Sequence, residues 1–280
     1  MLKDIVVPLT GSASDNVAVS VAMDLAQPHA AFVRIVLIAD LPPPNLGAWD
    51  MIPPASLVAA QDMIREQAAQ HVDKIRSRVA AHAANVTVEV LEAQIEYPGD
   101  LAASLAYAAD LSVIAGWAGA EKPDPRSVAY FNSLLFSSGR PVLVVPPRCK
   151  TPLPPKCIVV GWTPTPHSCR ALHDAIPFMQ GAHTVHLVQI DPDASDLHED
   201  SALTKEILAH LGRHRIQATS VKLHSKGHLR SALLLNHARE VKAGLIVMGG
   251  YGHSRLREWS IGGMTRELLA NAMLPVLYSH

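Results

Sequence analysis

Short apolar runs rich in β-branched residues recur along the chain and alternate with longer segments of helical periodicity. The runs lie at residues 5–10, 33–39, 86–91, 111–115 and 142–145, and again at 158–163, 185–190, 219–223, 245–249 and 276–278. Between them, apolar residues recur three and four positions apart, as in the stripe of Val17, Val21, Ala22 and Leu25. Alternating strands and helices predict parallel sheets, because parallel strands need crossover connections.

The two sets of five strands form an internal repeat. Ile-Val-Val at residues 5–7 matches Ile-Val-Val at residues 158–160, and the fourth and fifth strands align without a gap, with Leu111 on Leu245. Near-continuous apolar strands predict helices on both faces of each sheet. The sequence therefore predicts an α/β fold of two tandem, doubly wound domains, each built on a five-stranded parallel sheet.

A proline-rich stretch separates the repeats. Residues 146–155 contain five prolines, which favour an extended spacer over a further strand. We expect a degenerate domain at residues 1–147, a linker at 148–156 and a second domain at 157–280. The short linker is expected to keep the two domains packed against each other.

Hydroxyl residues precede the first helix of each repeat. Ser12 or Ser14 is expected to cap this helix in the first repeat. In the second repeat Thr165 is expected to cap it, with Pro166 at the first helical position.

Composition and charge narrow the function classes. The 280 residues include 24 Lys and Arg against 25 Asp and Glu, so the chain offers no electrostatic case for a nucleic-acid partner. No run approaches the roughly 20 apolar residues of a membrane span, and Asp4 and Pro8 interrupt the first residues before a signal-type apolar core. We expect a cytoplasmic protein without nucleic-acid or membrane partners.

The strongest chemical signal follows the fourth strand of the second repeat. Gly249, Gly250 and Gly252 come directly after this strand, and Gly262 and Gly263 precede a helix. Glycine lets the backbone turn and approach a ligand closely, and the free N–H groups of a helix N-terminus attract an anion. Because parallel sheets bind ligands at the carboxyl ends of their strands, this loop predicts a phosphate site.

Further side chains complete the candidate site. Thr265 can cap the last helix or offer its hydroxyl to a phosphate, and His253 can meet a phosphate when protonated or cap a turn. Thr163, together with Ile190 or Asp191, lies at the ends of the first two strands of the second repeat. These residues are expected near the base and ribose of a nucleotide.

On these residues the chain resembles the universal stress protein family in its tandem two-domain form. The family's nucleotide motif is Gly, two residues, Gly, nine residues, Gly, then Ser or Thr. Gly249, Gly252 and Gly262 fit this spacing, whereas Gly263 stands at the hydroxyl position. The resemblance implies an adenine nucleotide alpha hydrolase-like fold with strand order 3-2-1-4-5 and dimer-like packing through the last strands. It also implies ATP or a related adenine nucleotide as ligand, Mg²⁺ only alongside the nucleotide, and a role in stress tolerance without defined catalysis.

Two departures from the family pattern bear on binding. Nucleotide-binding members carry an Asp at the end of the first strand, where this chain has Thr10 and Thr163. In the first repeat the loop glycines are replaced, at the aligned positions, by Ala115, Ala118, Val128 and Ala129. Asp124 in the same loop is unfavourable for an anion. We therefore expect the first domain to lack a phosphate site.

Three functions remain open at this stage. The first is a non-catalytic stress protein whose C-terminal domain binds an adenine nucleotide. The second is a nucleotide-independent protein-interaction module, and the third is a slow nucleotide hydrolase, for which the motif offers no general base. His210 and His214 would share a helix face, but that spacing is common by chance, and no metal site is expected. A homodimer agrees with the family and is not fixed by the sequence.

Overall fold

The computed structural model describes residues 2–43, 54–80, 85–151, 153–191, 202–250 and 262–280. The chain divides into two compact units. The N-terminal unit comprises Leu2–Ala115 and Pro123–Arg140, and the C-terminal unit comprises Gly116–Lys122 and Pro141–His280.

The N-terminal unit contains a parallel sheet in the order β3-β2-β1-β4. Its strands are β1 (Asp4–Leu9), β2 (Phe32–Asp40), β3 (Val86–Ala93) and β4 (Leu111–Ala115), and its α-helices are α1 (Asp15–Ala26), α2 (Pro54–Val79), α3 (Pro98–Ala106) and α4 (Pro125–Ser137). The central strands are buried almost throughout, as Val7, Ile35 and Val36 show. Both faces of the sheet are therefore covered, which explains the unbroken apolar runs in the sequence.

The C-terminal unit contains a longer sheet. Its strands are β5 (Val142–Val145), β6 (Cys157–Gly161), β7 (Thr184–Ile190), β8 (Ala218–Leu223), β9 (Leu245–Gly249) and β10 (Val276–Ser279). Its α-helices are α5 (Pro166–Asp174), α6 (Ile176–Met179), α7 (Ala202–Arg213), α8 (Arg230–Glu240) and α9 (Gly263–Asn271). Strands β8-β7-β6-β9-β10 pair in parallel in this order. This is the predicted order 3-2-1-4-5, and the α/β fold class is confirmed.

Strand β5 pairs with the last strand of the other repeat. It lies in the C-terminal unit and pairs antiparallel with β10, with Val144 opposite Val276 and Val142 opposite Tyr278. Parallel pairing was predicted within each repeat, and no direction was predicted for this pair. An antiparallel pair is possible here because β5 and β10 belong to different repeats and no crossover helix joins them. The two units also divide the chain differently from the repeat, and the domain limits at residues 147 and 157 stay a prediction.

Within the described ranges, no helix combines the length and the apolar character that crossing a membrane requires.

Candidate functional site

The connection between β6 and α5 ends in a capped helix with neutral polar groups. The hydroxyl of Thr165 accepts a hydrogen bond from the Ser168 N–H at 3.3 Å, and Pro166 follows the cap, so the predicted cap is confirmed. Thr163 Oγ1 lies 3.0 Å from Ser168 Oγ. The carboxyl end of β6 is therefore followed by hydroxyl groups that add no negative charge.

Gly249, at the carboxyl end of β9, packs directly against the first turn of α5. A Cβ at this position would lie 2.6 Å from the carbonyl carbon of His167 and 2.7 Å from the amide nitrogen of Ser168. Backbone atoms cannot move aside as a flexible side chain can, so only glycine allows this approach. The glycine thus brings the end of β9 against the N-terminus of α5, while its contact with a nucleotide stays a prediction.

The N-terminus of α9 has two glycines that nothing among the described residues requires. Gly262 is the N-cap residue with φ −51°, a value open to any residue, and no side chain among the described residues caps the helix there. No described atom lies within 4 Å of a Cβ built on Gly262 or on Gly263. The first N–H groups of a helix have no partner inside it. An uncapped N-terminus with space around it suits an anion.

Thr265 lies in the first turn of α9, and 2% of its surface is exposed. Its hydroxyl therefore sits in the packed interior of this turn, and its contact with a phosphate stays a prediction. Gly252 and His253 lie outside the described residues.

The end of β7 has a structural role of its own. The Asp191 carboxylate accepts a hydrogen bond from the Ser225 N–H at 2.7 Å and one from Arg230 Nε at 3.1 Å. The bonds from Ser225, followed by that from Arg230, lower the pKa of Asp191. This carboxylate ties β7 to the segment between β8 and α8, and Ile190 beside it is half-buried. The predicted contacts of both residues with a ribose or base stay predictions.

The same strand-to-helix connection in the N-terminal unit holds a buried carboxylate. Asp15, the first residue of α1, is 1% exposed. Its Oδ1 accepts from the N–H of Thr10 at 3.0 Å and from Thr10 Oγ1 at 2.8 Å, and its Oδ2 accepts from the N–H of Gly11 at 2.8 Å. Burial raises the pKa of Asp15 by more than these bonds lower it. The loop amides after β1 are therefore already bonded to an internal acid.

The cap of α1 was predicted wrongly. Ser14 occupies the N-cap position but makes no side-chain capping bond. Ser12 Oγ lies 2.9 Å from Thr10 Oγ1, and because the Thr10 hydroxyl donates to Asp15, the Ser12 hydroxyl is the donor in this contact. Ser14 has helical backbone angles, φ −73° and ψ −16°, whereas a capping residue is usually extended. The N–H groups of Val17 and Ala18 bond to its carbonyl oxygen at 3.0 and 3.3 Å.

A second carboxylate closes the N-terminus of α4. Asp124 is the N-cap residue and accepts hydrogen bonds from the N–H and Oγ of Ser127, both at 3.0 Å. Val128 and Ala129, which align with the glycines that open α9, lie inside α4. The helix starts earlier in the N-terminal unit, and its free amides meet a carboxylate from the chain itself.

Sequence reasoning missed Ser168 and Asp15. Aligning Thr10 with Thr163 also aligns Asp15 with Ser168. Extending the comparison of the repeats one helical turn beyond the first strand would have shown that an acid in one repeat corresponds to a hydroxyl residue in the other.

Comparisons with known proteins agree with this architecture. Residues 156–280 match the model of the universal stress protein family. A universal stress protein from Archaeoglobus fulgidus is similar over 99% of this chain and 97% of its own, with 14% identity and a TM-score of 0.73. A putative universal stress protein from Pseudomonas aeruginosa is similar over 99% and 93%, with 12% identity and a TM-score of 0.62. No curated protein matched the sequence. At these identities the solved structures show the fold of the chain.

Proposed function

Because residues 156–280 belong to the universal stress protein family, and the whole chain has the fold of solved members, we propose that the C-terminal unit binds ATP or another adenine nucleotide. The nucleotide is bound without catalysis and regulates a response to stress in the cytoplasm. One observation carries the proposal furthest, the uncapped N-terminus of α9. Its two glycines are explained neither by backbone conformation nor by crowding from the described residues.

The charge pattern supports phosphate binding at this end of the sheet. The first amides of α9 offer hydrogen-bond donors and the positive end of the helix dipole. The connection after β6 presents the hydroxyls of Thr163 and Ser168, which do not repel an anion. A phosphate group at this end of the sheet would meet donors without an opposing carboxylate from either segment.

Selectivity for adenosine is expected to be weak. Thr163 follows β6, where a carboxylate would make a charge-assisted hydrogen bond. Loss of such a bond costs about 1.5–3 kcal/mol, which corresponds to roughly a ten- to hundredfold loss of affinity. We expect ATP, ADP and AMP to bind with affinities that depend more on the phosphates than on the nucleoside.

Equilibrium dialysis of the full chain against ATP, ADP and AMP tests this function. We expect one nucleotide to be retained per chain at millimolar concentration, and Gly262→Val to abolish retention by filling the space at the α9 N-terminus. Gly212→Val is the matched control, since Gly212 is exposed on α7 with no described atom within 4 Å of its Cβ position. No retention by the unaltered chain would contradict the proposal and favour a nucleotide-independent interaction module.

A phosphate-release assay on the same samples tests the catalytic alternative. Residues 162–165 and 262–265 contain no carboxylate or histidine. His167, in the first turn of α5, stacks on His280 with ring centroids 4.3 Å apart. We expect no release above buffer. Release that Gly262→Val abolishes would favour a slow hydrolase. A homodimer of the chain stays a prediction.

A further inference from the structure

Cations gather at the amino ends of the strands in the C-terminal unit, the end of the sheet opposite to the candidate nucleotide site. Backbone bonds hold the strand starts together there. The His183 N–H donates to the Lys156 carbonyl at 2.7 Å, and the Val185 N–H donates to the Gln217 carbonyl at 3.0 Å. Six exposed cations lie in the segments that lead into β6, β8 and β9, and we call them the basic rim: Lys150, Lys156, Arg213, Arg215, Arg239 and Lys242.

The proline-rich stretch contributes two of these cations. A Cβ at Gly244, the residue before β9, would lie 2.9 Å from Pro155 Cβ and 3.3 Å from Thr151 Cγ2. Both contacts are made at the start of β9. The residues at either end of this stretch, Lys150 and Lys156, therefore lie at the same end of the sheet as the cations that precede β8 and β9.

The protein does not neutralise the basic rim. Among the described residues, none of its six cations forms an ion pair with an acid, whereas Arg170 and Arg230 of the same unit are each paired with an Asp. One acid, Glu240, occurs in the segments that lead into β6, β7, β8 and β9, at residues 149–156, 180–183, 213–217 and 239–244. The rim is therefore positive, although the whole chain has a net charge of −1.

Helix dipoles alone do not account for these cations. Arg239 and Lys242 lie at the end of α8 and just after it, where the dipole favours positive charge. The aligned positions at the end of α3 are Leu105 and Ala108, so a helix of this fold can end without a cation. Arg215 and Lys242 also have φ +63° and +53°, a left-handed backbone that glycine adopts without strain. A cation thus stands at two positions whose backbone suits glycine better.

From these observations we propose that the basic rim is a docking surface for an acidic protein segment, with its cations bound to Asp and Glu carboxylates of an extended chain. Neighbouring strands lie about 4.8 Å apart, so the rim from β8 to β9 extends over about 14 Å. An extended chain covers about 3.3–3.6 Å per residue, so a segment of about five residues spans it. Side chains two residues apart in such a segment point to the same side, which lets alternate acids reach cations on different strands.

The rest of the chain disfavours a long polyanion as the partner. Residues 1–147 contain 15 Asp and Glu against nine Lys and Arg, so a nucleic acid or an anionic membrane that extended over more of the chain would meet repulsion. The segments of the basic rim also contain no Phe, Tyr or Trp, the side chains on which single-stranded nucleic acids stack. A short acidic segment fits the limited extent of the positive charge.

Fluorescence anisotropy of a labelled octaglutamate peptide, titrated with the full chain, tests this surface, and octaglutamine is the uncharged control peptide. We expect octaglutamate binding that weakens at least about tenfold between about 0.02 and 0.3 M NaCl, because salt screens exposed charges. A variant that combines Arg215→Gly and Lys242→Gly should bind at least about tenfold more weakly than the unaltered chain. Both substitutions remove a charge and place glycine where the backbone is left-handed, so the fold should be kept.

Lys226→Gly is the matched control variant. Lys226 is exposed and has φ +46°, but it follows β8 at the carboxyl end of the sheet. This variant should bind octaglutamate as the unaltered chain does, and circular dichroism checks the folding of every variant. Gly262→Val should also keep octaglutamate binding, because the α9 N-terminus follows the carboxyl end of β9, so this surface and the proposed nucleotide function fail independently.

Two results would overturn the docking surface itself: no binding of octaglutamate by the unaltered chain, or binding that the combined variant retains in full. Tighter binding of a DNA duplex or of phosphatidylserine vesicles, lost in the combined variant, would overturn the acidic protein segment as the partner.

Discussion

The two repeats carry the same strand–loop–helix elements, but their N–H groups meet different partners. In the N-terminal unit, Asp15 binds the amides after β1 and Asp124 binds an amide at the start of α4. In the C-terminal unit, Ser168 stands at the position of Asp15, and α9 opens with the uncapped Gly262. Amides bonded to an internal carboxylate have no capacity left for a phosphate, and the carboxylate repels one.

This difference gives a physical reason for a degenerate first repeat. Val128 and Ala129 stand where the other repeat has Gly262 and Gly263, and their side chains fill the space that the glycines leave open, as the sequence indicates. The structure adds that the remaining donors are used internally. The N-terminal repeat thus keeps the fold and uses its loop N–H groups in internal hydrogen bonds. In the C-terminal repeat, we propose that the equivalent donors bind a ligand.

The largest expected effect comes from giving the C-terminal unit the acid of the N-terminal unit. Ser168→Asp should weaken ATP binding about a hundredfold or more, because like charges about 4 Å apart near a protein surface repel by about 4 kcal/mol. Ser168→Ala is the matched control and should change affinity by at most about tenfold, the value of one neutral hydrogen bond. Calorimetry with ATP measures both. Equal affinities of the Asp and Ala variants would contradict the electrostatic comparison.

The reverse change weakens the N-terminal unit. In Asp15→Asn, the side-chain NH₂ replaces a carboxylate oxygen that accepts a backbone N–H in the unaltered chain, so two donors meet. This change should lower the free energy of unfolding by about 1–3 kcal/mol. Urea unfolding measures this change. Asp62→Asn is the control, because Asp62 is in an exposed ion pair with Arg65 and should cost less than about 1 kcal/mol. Since burial raises the pKa of Asp15, a variant as stable as the unaltered chain would show that the burial cost outweighs the three hydrogen bonds.

Removal of a helix cap should cost less stability than Asp15→Asn, and about the same amount in each unit. Asp124→Ala removes the cap of α4, and Thr165→Ala removes the cap of α5. Each should lower the free energy of unfolding by about 1 kcal/mol, as N-cap substitutions usually do. Urea unfolding again measures both changes. If Asp124→Ala were neutral, its carboxylate would not be what satisfies the α4 terminus.

The smallest expected effect is a loss of stability at acid pH that arises from a histidine of the C-terminal unit. His237 Nε2 lies 3.1 Å from His186 Nδ1 in the C-terminal unit, and burial, followed by His186, lowers the pKa of His237. Glu240 acts in the opposite direction. A folded-state pKa below the unfolded value of about 6.5 gives stability that is complete above pH 6.5 and is lost as the pH falls towards the folded-state pKa.

His237→Gln should therefore lose less stability than the unaltered chain between pH 7.5 and 5.5, as read from the urea midpoint at each pH. A parallel loss in both proteins would mean that the histidine pair does not set the acid sensitivity.

The sequence alone predicted much of the fold, for a clear reason. Strands buried on both faces are near-continuous apolar runs, so β1, β2, β6 and β9 could be placed to within a residue or two. The antiparallel direction of β5 against β10 could not, because pairing between strands of different repeats leaves no periodic signal. Only the family resemblance implied packing through the last strands. The loop glycines were recognised, but the packing role of Gly249 against α5 was not, since its neighbours His167 and Ser168 are far away in sequence.

The side chains at the candidate site were harder to predict. Thr165 was identified as a cap because the residues that follow it read as a helix start. Ser14 was misassigned because its backbone is already helical, so the helical N–H groups bond to its carbonyl oxygen and not to its hydroxyl. The contact between Asp15 and the amides after β1 has no spacing signature, since it depends on how the loop closes.

The most direct test asks which repeat meets the nucleotide. Photolabelling the full chain with azido-ATP, followed by mass spectrometry of its tryptic peptides, locates the bound ligand. The account predicts that specific label, removed by excess ATP, lies within residues 156–280. Specific label on peptides that contain Asp15 or Asp124 would contradict it, because those carboxylates would then not exclude a phosphate.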